Sequence, residues 1–134
     1  MKKTINILVS IGELTDKITI LEIKSIRIDS KEKRKIILSE LKSLSRKEDR
    51  IAFSGNDEKQ KYLKLKNKLY KTNFDLWNLE DALREMESNK KFDDYFIQLA
   101  RSVYLLNDKR SGIKNNINIL TGSKITDIKH YKKY

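Results

Sequence analysis

Apolar positions along the chain recur at alternating steps of three and four, the spacing that gathers side chains on one face of a helix. The longest such run is Tyr62, Leu65, Leu69, Thr72, Leu76, Leu79, Leu83 and Met86. It predicts a helix over residues 57–88, a rod of roughly 48 Å at ~1.5 Å per residue. A second run, Phe96, Leu99, Val103, Leu106, Arg110, Ile113, Ile117 and Leu120, predicts a helix over 93–121, capped by Asp93 and stopped by Thr121-Gly122. Two matched stripes joined by the short break Ser88-Asn89-Lys90-Lys91 make an antiparallel hairpin.

Two further helices precede the hairpin. Ser10-Ile11-Gly12-Glu13 reads as a capping box, and Ile11, Leu14, Ile18 and Leu21 share a face, so a first helix is expected over 10–28. Asp29-Ser30 can cap a second over 31–53, with Ile37, Leu41, Leu44 and Ile51 as its apolar line. Ser54-Gly55-Asn56-Asp57 is the clearest turn, with Asp57 placed to cap the third helix. Thr4–Val9 is apolar and β-branched but too short to decide between a strand and a lead-in. In the tail, 123–134, Ile125, Ile128 and Tyr131 are expected to pack back in part and Lys132, Lys133 and Tyr134 to move freely. The expected architecture is all-α: one domain over 1–134, an antiparallel bundle of four helices built on the long hairpin, with 1–9 leading in.

Composition supports this reading. Proline is absent and glycine occurs only 4 times, so nothing interrupts the helices and little turn chemistry is left for a many-stranded fold. Cysteine is also absent, which excludes disulfides, thiol nucleophiles and thiolate metal sites, and a lone His130 supports no metal cluster. No metal and no cofactor are expected. There is no apolar run of membrane-spanning length, and Glu13 breaks MKKTINILVSIGEL too early for a signal peptide, so a cytoplasmic location is expected.

The formal net charge is +11, and its position matters more than its size. Residues 31–71 carry 14 Lys/Arg against 6 Asp/Glu, whereas 75–94 carry 3 against 7. The two segments attract one another within a hairpin or between copies. Binding of nucleic acid by the 31–71 surface is a third-ranked reading, because aromatic residues are not interleaved with the basic run and no motif of that class is present.

Enzyme signatures are missing: there is no glycine-rich phosphate loop, no nucleophile elbow and no H-E-x-x-H. The candidate chemistry is a set of charges beside the apolar stripes. Lys17, Arg84, Arg101, Asn107, Arg110 and Lys114 could line an anion-binding or polar pocket, with Glu13, Asp16, Glu80 and Asp81 as acidic partners. Arg110 stands out because it holds a stripe position that calls for an apolar side chain. It must reach solvent, line a pocket, or pair with a carboxylate from another helix.

The runs Ile11-Gly12-Glu13-Leu14 with Asp16 to Lys24, Leu76-Trp77 with Glu80-Asp81, and Leu99 to Tyr104 with Asn107-Asp108 and Arg110 resemble a family of small bacterial and phage proteins, domain of unknown function 6165. The resemblance spans about Ile7 to Tyr131. It implies no activity; it implies a setting near glycosyltransferase and surface-polysaccharide genes. The leading expectation is a helical interaction or accessory protein acting as a homo-oligomer in that setting, with a further protein partner. A small cofactor-free helical enzyme, or a binding protein for an anionic small molecule, is the alternative.

Overall fold

Ser10 opens the first helix by accepting the Glu13 amide on its hydroxyl. In the structure, a computed structural model that describes residues 3–134, four helices follow: α1 (Ile11–Arg27), α2 (Lys31–Glu48), α3 (Asn56–Ser88) and α4 (Asp94–Thr121). The protein is all-helical, with no strand among the described residues. Residues 4–9 take the lead-in form: they belong to no helix or strand, and Ile5, Ile7 and Leu8 are exposed.

The helices keep the expected bounds to within one residue except at the end of α2. α2 stops at Glu48 and not near Phe53, because the Asp49-Arg50 turn lets Ile51 and Phe53 swing into the core as loop residues. Its start at Lys31 is as expected, with Ser30 of the Asp29-Ser30 pair accepting the Lys33 amide. α3 begins one residue before Asp57, behind Gly55, without a side-chain cap. Asp93 and Gly122 behave as expected: the first accepts the Phe96 amide and the second, at φ 65°, closes α4 in the left-handed region.

α3 and α4 form the antiparallel hairpin, and α1 lies across its base, packed against all three other helices. α2 packs along α1, reaches α3 through Glu48 at its end, and buries only Ile37 fully. At the base, Tyr62, Leu69, Ile113 and Ile117 are buried together, with Ile11, Ile51, Phe53, Leu65 and Leu120 around them. Toward the other end the hairpin stands alone. There Leu83, Met86, Phe96, Leu99, Val103 and Leu106, from the same stripes, are only half-buried, as is Trp77. No helix of the described residues is long and apolar enough to cross a membrane.

Candidate functional site

The site begins where α1 meets α4. A Cβ on Gly12 would lie 2.4 Å from the Lys114 carbonyl oxygen, so only glycine allows the two backbones to come this close. The approach lets α4 finish the capping of α1. Asn118 Oδ1 accepts the Gly12 amide at 2.7 Å and Ser123 Oγ accepts the Ile11 amide at 3.1 Å. The free amides of the first turn are thus satisfied.

One turn further along, Asp16 is buried to 1% exposure among the apolar residues of α1. Arg110 clasps it from α4, donating from Nε to Oδ1 at 2.9 Å and from Nη2 to Oδ2 at 2.5 Å. Asn73 of α3 adds a third donor to Oδ1 at 2.9 Å and bonds the Thr19 hydroxyl as well. Burial pushes the Asp16 carboxyl up, but the hydrogen bonds from Arg110 and Asn73 and the charges of Arg110 and Lys114 outweigh it and hold the group below its ordinary value. Hydrogen bonding to Asp16 likewise raises Arg110, with the charges of Asp16, Glu13 and Glu80 adding to it. Beside this pair Lys114 is also buried, donating to Glu13 Oε2 at 2.5 Å and lying 3.7 Å from Asp127 of the C-terminal segment.

A second polar group ties α1, α3 and the end of α2 together. The Tyr62 hydroxyl donates to Glu48 at 2.7 Å and meets the Thr15 hydroxyl at 2.9 Å, while Lys66 reaches Glu48 at 2.8 Å. Burial and the Glu48 carboxylate push the Tyr62 phenol far up, so it stays a protonated donor.

Of the residues singled out in the sequence, Glu13, Asp16, Lys17, Arg110 and Lys114 converge here. Lys17 sits at the edge, 3.8 Å from Glu13 and half-exposed. Asn107 stands on the same side of α4 as Arg110, at the rim of a cavity. Arg84, Arg101 and Asp81 are exposed on the hairpin outside the group, and Glu80, also exposed, lies near enough for its charge to act on Arg110. The capping box is half realised, since Glu13 turns to Lys114 and Lys17. Sequence reasoning missed Asn73, Thr15 and Thr19, whose polar side chains interrupt apolar faces and could have been found on that signal.

The cavity has a volume of about 680 Å³ and lies between α4 and the C-terminal segment. One wall is Ala100, Val103, Tyr104, Asn107 and Asp108, a stretch of the second motif run; the other is Lys129, Tyr131, Lys132 and Tyr134. Ile128, expected to pack back, is 93% exposed. Tyr134 instead anchors the segment, its ring 5.1 Å from Tyr104 and its hydroxyl donating to Asp108.

A family model described as a family of unknown function (DUF6165) matches residues 5–134. The chain belongs to that family. The sequence runs that carried the resemblance supply the α1–α4 contact through Gly12, Glu13 and Asp16, and a wall of the cavity through residues 100–108. No curated protein and no solved structure matches the chain.

Proposed function

We propose that the protein is a helical interaction protein that self-associates through the free part of its α3–α4 hairpin and serves as an accessory to a larger assembly. The observation that carries the reading is the apolar surface left open on the hairpin beside its stripes. Leu69 and Ile117 at the base are 0% exposed, whereas Ile97 and Leu105 on the free part are 52% and 48% exposed, with Phe92 and Tyr95 also open. Apolar surface of this kind, on helices that no neighbour covers, is what an interface buries.

Charge favours a second copy of the chain as the occupant. The free part includes much of the acidic segment 75–94, and the exposed start of α2 lies in the basic segment 31–71. Each copy therefore carries both halves of a complementary pair. The setting near surface-polysaccharide synthesis, which family membership suggests, belongs to the same proposal.

Sedimentation velocity of the parent and of the double variant Ile97→Glu/Leu105→Glu tests the self-association. The two positions are eight residues apart and share a helix face. The expected result is an oligomeric parent and a monomeric variant with unchanged helicity by circular dichroism. Equal sedimentation of the two contradicts the assignment of the face. For the accessory role, co-purification with a glycosyltransferase encoded beside the gene is expected, and crosslinks to copies of the chain alone contradict it.

A further inference from the structure

We propose that the groove between α4 and the C-terminal segment binds a small phosphorylated molecule carrying a ring, its phosphate against Lys129, Lys132 and Arg110 and its ring against the tyrosines. The proposal is independent of self-association and rests on the lining of the cavity.

The first support is the way Arg110 is held. Asp16 occupies the Nε and Nη2 edge of the guanidinium from the buried side, and Nη1 has no protein partner among the described residues. The side chain keeps 29% exposure and lines the cavity. The buried carboxylate therefore fixes the guanidinium plane while leaving donors turned to the cavity, an arrangement suited to an anion because little side-chain freedom is left to lose.

Charge is the second. Arg110, Lys114, Lys129 and Lys132 line the cavity against a single acid, Asp108, which already accepts the Tyr134 hydroxyl. Lys114 is shared among Glu13, Asp16 and Asp127, so Lys129 and Lys132 are the ammonium groups left for a ligand. Two lysines with one arginine edge suit a dianionic phosphate better than a single carboxylate.

Size and surface give the third. A cavity of about 680 Å³ lies within the range of roughly 300–1,000 Å³ seen for small-molecule sites. A bare phosphate would leave most of it empty. Val103 and Ala100 form an apolar floor, and Tyr104, Tyr131 and Tyr134 provide ring faces on which a base or a sugar can lie.

The ring has two sources, a nucleobase or a sugar, and titration of the full chain separates them. Adenosine monophosphate, a hexose phosphate and inorganic phosphate are each followed by melting midpoint and calorimetry. A ringed probe is expected to raise the midpoint, as binding to the folded state alone must, and inorganic phosphate to raise it less. The larger shift identifies the ring. The double variant Lys129→Ala/Lys132→Ala and the single variant Tyr131→Ala alter exposed side chains, so the fold should persist by circular dichroism. Each is expected to weaken the better probe by about tenfold or more, the loss of one good charged or stacking contact. No shift with either ringed probe overturns the proposal. So does an equal shift from inorganic phosphate, or unchanged affinity in both variants.

Discussion

Asp16 and Arg110 define the residue scale, because each alone is a charge that the interior does not tolerate. Removing Arg110 by Arg110→Met strands a carboxylate that is 1% exposed, and the expected loss is about 3–5 kcal/mol in urea unfolding. The double variant Asp16→Leu/Arg110→Met should recover most of it. A single variant as stable as the parent would show that Asp16 has another partner. The pH dependence follows in sign. The folded Asp16 carboxyl titrates below its ordinary value of 3.8, so its contribution is complete above that value and is lost as pH falls through the lower folded one. Asp16→Asn should therefore differ most from the parent near neutrality and converge on it in strong acid. Of this site, the need for a partner from another helix was legible, since Arg110 broke an apolar stripe. The identity of the partner was not: Glu13, Asp16, Glu80 and Asp81 were equivalent until the packing of α1 across the base brought Asp16 under the guanidinium. Asn73 was legible only as a polar interruption of an apolar face, and the tyrosines of the tail carry no periodic signal, so only the tertiary fold assembles them.

The elements differ in how they are held. α1 is packed on all sides and α2 on one, so amide exchange is expected to be fastest in α2 among the helices and slowest in α1 and the base of α3. Uniform protection would contradict this. At the hairpin turn Lys90 holds a left-handed backbone, φ 53°, while the Lys91 amide bonds Met86 and that of Lys90 bonds Glu87. A side chain there opposes the conformation, and Lys90→Gly is expected to stabilise the turn by up to about 1 kcal/mol, read as a raised unfolding midpoint. Heptad spacing made α3 and α4 legible almost to the residue because each stripe keeps its spacing for several turns, Arg110 included. The end of α2 was misread because Ile51 kept the helical spacing although the chain had already turned at Asp49-Arg50. Periodicity records which residues are buried, and a loop residue can be buried too.

For the whole molecule, the central feature is a bundle at one end and a bare hairpin at the other. The three helices that share the base satisfy one another's polar groups: no buried side-chain nitrogen or oxygen among the described residues lacks a partner. The free part leaves Phe92, Tyr95, Ile97 and Leu105 open, and it includes much of the acidic segment 75–94 of a chain with net charge +11. Under the self-association proposed above, a second copy would supply both the apolar cover and the opposite charge. Light scattering on the eluting peak of the intact parent, over concentrations from micromolar to millimolar, measures this most directly. A mass of at least twice 15.9 kDa, falling toward the single-chain value on dilution, is the expected result; a mass of 15.9 kDa at every concentration would contradict self-association through the hairpin.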